Sequence, residues 1–77
     1  MKDLLTFLVE EMTGSKEFEI QESEEEGRHD FMVLAPQEMV GMLIGKEGRT
    51  IKAIRNLLKV RATLGKEAVS VSVGEKP

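Results

Sequence analysis

The 77-residue chain is long enough for one small domain and too short for two. It has no cysteine and only three aromatic residues, all phenylalanine, which excludes disulfides and cysteine-based zinc sites and leaves little for base stacking on aromatic side chains. Its 40% apolar content is ample for a globular fold. No apolar run approaches the roughly 20 residues that span a bilayer. No targeting segment is recognisable, so we expect a cytoplasmic protein without membrane insertion.

The net charge of −3 conceals a strong asymmetry along the sequence. Residues 1–30 carry ten acidic and three basic side chains, whereas residues 45–66 carry one acidic and seven basic side chains. The net charge alone argues against a nucleic-acid binder, but an anionic ligand responds to the local field more than to the sum. The distribution therefore predicts one electropositive face.

The first half of the chain predicts one helix followed by two strands. Residues 3–12 have apolar side chains at helical spacing, and a glycine follows as a stop signal. Over residues 17–21, apolar side chains alternate with polar ones, which is typical of a strand with one buried face. The acidic segment 23–29 contains a glycine and is interpreted as an exposed turn. Residues 31–34 form a short apolar strand.

The second half predicts two helices and a last strand. An alanine–proline pair ends the preceding strand, and a helix follows over residues 37–44 because proline suits the first turn of a helix. The segment Gly45-Lys46-Glu47-Gly48 interrupts the helical pattern, and a third helix runs over residues 49–64. Valine alternates with serine over residues 69–73, which predicts a half-buried strand, and residues 74–77 form a short tail.

The predicted element order is α-β-β-α-α-β. This order indicates an α+β fold, with a three-stranded sheet and the helices packed on one of its faces. Residues 1–73 form a single domain in this interpretation.

The third helix is predicted to be amphipathic. At about 100° per residue its apolar side chains share one side, namely Ile51, Ile54, Leu57 and Leu58. Basic side chains share the opposite side, namely Arg49, Lys52, Arg55 and Lys59. This stripe is either a solvated helix face or an anion-binding surface, and the absence of interleaved acidic residues leaves the two interpretations about equally favoured.

The two glycines around Lys46-Glu47 predict an anion site at the helix–helix junction. Glycine adopts positive φ and lets another backbone approach closely. The third helix begins there, so its unpaired N–H groups and positive dipole end point toward the loop. A phosphate would find these donors together with Lys46 and Arg49. The alternative is that the glycines only let the chain turn, because a G-x-x-G pattern alone is short and common.

The segment from Leu43 to Arg55, LIGKEGRTIKAIR, resembles the IGxxGxxI core of KH domains. With its leading helix and the Ala35-Pro36 entry, the chain is similar over residues 1–73 to the small bacterial KH proteins of the KhpA (YlqC) family. The resemblance implies a type II KH domain that binds single-stranded RNA, clamping about four backbone nucleotides beside an apolar groove. The RNA-binding residues expected on this basis are Gly41, Ile44, Gly45, Lys46, Glu47, Gly48, Arg49, Ile51, Lys52 and Arg55.

The same resemblance implies a role as an RNA chaperone or post-transcriptional regulator. It also implies a homodimer, or a heterodimer with a larger KH-containing protein of the KhpB (Jag) kind. Two alternatives stay open at this point. The glycine-containing junction of two helices also describes a helix-turn-helix DNA binder. The acidic first third would equally suit a protein-interaction module that keeps the KH fold.

Catalysis, cofactors and metals are not expected from the sequence. His29 is the only histidine and is predicted in a polar turn without a nucleophile or a metal-ligand partner at useful spacing. The three consecutive acids at 24–26 are interpreted as a solvated loop, because metal loops alternate their ligands so that side chains converge. No nucleophile, base and orienting group occur together, so we do not expect an enzyme.

Overall fold

The computed structural model describes residues 1–76 and contains three α-helices, one short 3₁₀ turn and three strands. The helices are α1 (Lys2–Thr13), α2 (Gln37–Ile44) and α3 (Arg49–Leu64), with the 3₁₀ turn Lys46–Gly48 between α2 and α3. The strands are β1 (Glu19–Glu25), β2 (Arg28–Ala35) and β3 (Ala68–Glu75). The α-β-β-α-α-β order is confirmed, and α2 and α3 have the bounds that the sequence predicts.

The sheet has the order β1-β2-β3, with β2 at its centre. β1 and β2 form an antiparallel hairpin. Its two-residue turn consists of Glu26 and Gly27, which have φ values of 49° and 79°. Two positive φ angles are typical of tight hairpin turns, because they match the twist of the flanking strands. β3 runs parallel to β2, an arrangement that requires a long crossover, and α2 and α3 provide it.

One face of the sheet carries the core. Phe31 and Val33 of β2 lie beside Val71 of β3 on this face, and each is at most 2% exposed. All three helices pack on it through buried side chains, chiefly Leu5, Val9, Met39, Leu43, Ile51, Ile54 and Leu58. The predicted architecture, a three-stranded sheet with helices on one face, is therefore confirmed.

The predicted turn over residues 23–29 is mostly strand. β1 continues to Glu25 and β2 begins at Arg28, so only Glu26 and Gly27 remain as the turn. The prediction was wrong because every residue of β1 beyond Ile20 is exposed, and backbone pairing with β2 can hold such a segment without any apolar alternation.

Two further predictions need correction. Leu57 is 51% exposed, because the side of α3 that faces the sheet carries Ile51, Ile54, Leu58 and Ala62 and is narrower than expected. The tail expected from residue 74 is shorter: Gly74 pairs with Leu34 in β3, and the Lys76 N–H donates to the Ala35 carbonyl over 2.8 Å. Pro77 lies outside the described residues.

Within residues 1–76, none of the helices combines the length and the apolar character that crossing a membrane requires.

Truncating the two adjacent leucines of α3 separately tests how this helix packs. Leu58 is fully buried, so we expect Leu58→Ala to lower the free energy of unfolding by about 2–5 kcal/mol. Leu57 is half exposed, so Leu57→Ala should change it by at most about 0.5 kcal/mol. Urea denaturation followed by circular dichroism measures both. Equal losses would contradict the orientation of α3 described above.

Candidate nucleic-acid interface

The junction between α2 and α3 is built on a backbone conformation that only glycine adopts readily. Gly45 has φ 74° and ψ 176°, and its N–H donates to the Gly41 carbonyl over 2.9 Å as α2 ends. A Cβ atom on Gly45 would collide with the Thr50 hydroxyl and lie 2.8 Å from the Thr50 Cβ. The end of α2 is thus held against the first turn of α3.

The following residues turn outward and start α3. Glu47 (φ 58°, ψ 25°) and Gly48 (φ 75°, ψ 16°) are both left-handed. Gly48 is the N-cap of α3 and has no side chain that could accept a hydrogen bond from the first-turn N–H groups. The first turn also contains no acidic residue. The Arg49 N–H donates to the Lys46 carbonyl. The N–H groups that follow it in the first turn of this 16-residue helix have no side-chain acceptor, which suits them to an external anion.

Charged side chains surround this helix start. Lys46, Glu47, Arg49 and Lys52 are all exposed. Glu47 Oε2 lies 3.8 Å from Arg49 Nη2, but the two side chains are 71% and 79% exposed, so this ion pair is weak and easily exchanged for a contact with phosphate. The loop thus brings together the predicted clamp residues and two further cations.

The predicted groove residues separate into surface and core positions. Gly41 is exposed on α2, and a Cβ added to it would meet no atom within 4 Å. Ile44 is 39% exposed beside it, so both residues offer a small apolar surface next to the loop. Ile51 is only 7% exposed and belongs to the core cluster, so its side chain packs between α3 and the core rather than on the surface.

A second surface feature lies along α3, between this helix and the free edge of β3. Arg55 Nε donates a hydrogen bond to the Val71 carbonyl over 2.9 Å, which ties the guanidinium to the edge strand. The resulting groove has a volume of about 370 Å³ and is lined by Arg55, Asn56, Lys59, Val69, Ser70, Val71 and Ser72. Asn56, Ser70 and Ser72 were not identified as groove residues from the sequence. The alternation of serine with valine indicates a strand, but it does not show that this strand forms an edge of the sheet beside α3.

Alanine substitutions at three glycines test the junction. We expect Gly48→Ala to cost about 1–2 kcal/mol for its left-handed backbone alone, since its nearest neighbour, Ile51 Cγ2, is 4.0 Å away. Gly45→Ala should cost more, because Thr50 also blocks the Cβ. Gly41→Ala should stabilise by about 0.5–1 kcal/mol as a helix-interior replacement. Urea denaturation gives all three values, and Gly45→Ala costing no more than Gly48→Ala would contradict the close approach to Thr50.

Comparisons with known proteins identify the family of this chain. The family model described as KhpA/KhpB, KH domain, matches residues 2–73. The chain is 36% identical over 77 residues to the RNA-binding protein KhpA of Chlamydia caviae, covering 97% of each chain. It is 36% identical over 80 residues to that of Chlamydia pneumoniae, covering 99% of each. It is 37% identical over 59 residues to that of Thermotoga maritima, covering 75% of this chain and 79% of the relative. The chain therefore belongs to the KhpA/KhpB family of KH domains.

Proposed function

We propose that this protein binds single-stranded RNA and that residues 45–48 hold the sugar–phosphate backbone. The observation that carries the proposal is the start of α3, where left-handed Gly48 leaves main-chain N–H groups without a side-chain acceptor beside exposed Lys46 and Arg49. The relatives reported above, each named an RNA-binding protein, support the same ligand.

In this proposal different residues contact different parts of the RNA. Gly45 and Gly48 let the nucleotide backbone approach the main chain closely. Lys46, Arg49 and Lys52 neutralise phosphates, which supplies affinity without sequence preference. Gly41 and Ile44 give an apolar surface for a base. Arg55 is held by the Val71 carbonyl at the groove along β3, where the RNA would continue.

A single domain of this size contacts about four nucleotides and should bind weakly. A second KH domain on the same RNA would raise the effective concentration and hence the affinity. We therefore propose that the working form is a homodimer or a heterodimer with a larger KH-containing protein of the KhpB kind. The protein would act in the cytoplasm by binding rather than by catalysis, as an RNA chaperone or post-transcriptional regulator.

Reversing the charge at position 46 of the loop tests the clamp. A variant with Lys46→Asp and Glu47→Asp should weaken binding of a short labelled single-stranded RNA roughly tenfold or more, since a charge-assisted hydrogen bond contributes about 1.5–3 kcal/mol. Fluorescence anisotropy measures Kd, and circular dichroism confirms that the variant is folded. The chain offers a matched control, since Lys16→Asp with Glu17→Asp makes the same changes in the exposed segment between α1 and β1.

Equal affinity of the loop variant and this control would contradict the clamp. Unlabelled duplex DNA serves as a competitor in the same assay. Displacement of the RNA by duplex DNA more readily than by unlabelled single-stranded RNA would favour the helix-turn-helix interpretation instead.

The salt dependence of binding reports the number of phosphates that are neutralised. Contacts with about two to four phosphates give a slope of log K against log salt of about −1.4 to −2.8 for a single strand. Removing one contact through Arg49→Ala should make the slope shallower by about 0.7. Anisotropy titrations at several salt concentrations give the slopes. A slope near zero, or one that Arg49→Ala leaves unchanged, would contradict the assigned contacts.

A further inference from the structure

His29 lies in an environment that the RNA-binding proposal does not use. It is the only histidine, it sits in β2 rather than in a turn, and it is only 9% exposed. Its Nε2 is hydrogen-bonded to the carboxylate of Glu67, in the segment between α3 and β3. Its Nδ1 is buried and has no hydrogen-bond partner among the described residues. A buried imidazole thus has one nitrogen fixed and the other without a partner.

Two carboxylates of β1 face the free nitrogen. Glu24 is the cross-strand partner of His29, and Glu22 is two residues along on the same face. Their Oε2 atoms lie 3.6 Å and 3.7 Å from Nδ1. Ligand atoms of Glu24, His29 and Glu67 all lie within 4.8 Å of one another. Residues from two strands and the α3–β3 connection therefore converge on one imidazole.

The distances distinguish a hydrogen bond from a metal-binding arrangement. Hydrogen bonds to nitrogen span about 2.7–3.2 Å, which is shorter than either contact with Nδ1. Two ligands on a tetrahedral ion with bonds of about 2.0–2.2 Å are roughly 3.3–3.6 Å apart, close to the observed separations. In metal sites the histidine commonly donates its other ring N–H to a carboxylate, and Glu67 occupies that place.

The charges also favour a divalent occupant. Three carboxylates, Glu22, Glu24 and Glu67, lie around one imidazole. The Glu67 hydrogen bond raises the pKa of His29, with smaller contributions from the charges of Glu67, Glu24 and Glu22, while burial opposes the shift. This shift favours a proton on the imidazole, and an ion at Nδ1 must displace that proton. A proton on Nδ1 offsets one of the negative charges, whereas a divalent ion offsets two. Two cations, the Arg61 guanidinium and the terminal ammonium of Met1, belong to residues that line the same surface cavity as His29 and Glu67.

We propose that Nδ1 of His29 and the carboxylate of Glu24 bind a divalent transition-metal ion of the zinc type, with Glu67 positioning the imidazole and Glu22 adding negative charge beside the ion. A nitrogen ligand together with carboxylates selects such an ion over magnesium. Glu22 and Glu24 have side chains that are 36% and 59% exposed, which gives the ion a path from solvent. The bound ion would connect β1 to β2 within the hairpin, and the Glu67 hydrogen bond would link this pair to the α3–β3 connection.

This site is independent of the RNA clamp. The clamp is at the amino end of α3 and Glu67 follows its carboxyl end, so the 16-residue helix separates them by about 24 Å. The metal site can therefore be tested independently of RNA binding.

Isothermal titration calorimetry of the full, untagged chain with zinc chloride in chelator-free buffer at pH 7.5 tests the site. We expect one ion per chain and at least about tenfold weaker binding for Glu24→Gln, since even outer-sphere partners cost about 10–100-fold. The matched control is Glu25→Gln, because Glu25 neighbours Glu24 on the same strand but points to the opposite sheet face. This control should bind zinc as the natural sequence does.

Nuclear magnetic resonance adds a readout at the ligand itself. Because the chain has a single histidine, its imidazole resonances are unambiguous, and zinc should shift the Nδ1 signal in the natural sequence and in Glu25→Gln. Glu67→Gln should weaken binding roughly tenfold to a hundredfold while keeping one ion per chain. Absence of zinc binding, equal binding by Glu24→Gln and Glu25→Gln, or magnesium binding as tightly as zinc would each overturn the proposal.

Discussion

The close approach of Gly45 to Thr50 is the constraint on which the other features of this molecule depend. It fixes the residue at which α3 begins, and each residue of displacement would rotate the helix by about 100° relative to the sheet. With the observed start, Ile54 and Leu58 face the core and the basic side chains face outward. The same backbone geometry leaves the amino end of α3 open to an anion. One local conformation thus serves both the packing of the domain and the proposed clamp.

The uneven charge distribution along the sequence becomes a separation in space. Acidic residues dominate the β1–β2 hairpin, where the β1 side chains beyond Ile20 are exposed, and basic residues dominate the outer side of α3. An anionic ligand therefore meets a favourable field at one end of α3 although the chain as a whole is negative. The acidic end contains the His29 cluster, whose chemistry suits a cation. The two proposed sites consequently use opposite charges and do not compete.

Much of this architecture could be predicted because strong local signals mark it. Pro36 and the two loop glycines fix the start and end of α2 and the start of α3 through backbone constraints that act within a few residues. The ends of β1 and β2 could not be predicted in this way. The second half of β1 is held by backbone pairing, and its exposed residues show no apolar alternation that would mark a strand. The cluster at His29 depends on Glu67, which is 38 residues away in the sequence. Such a contact follows from the parallel register of β2 and β3, which no local pattern encodes.

The central claim, that RNA contacts the start of α3, is tested most directly by mapping the contact on the ¹⁵N-labelled chain. Amide resonances are followed by nuclear magnetic resonance while a short single-stranded RNA is added. The account predicts the largest shifts at residues 45–49 and 52, with smaller ones along the groove between α3 and β3. Shifts concentrated on the β1–β2 hairpin, with the amides of the loop unchanged, would contradict it.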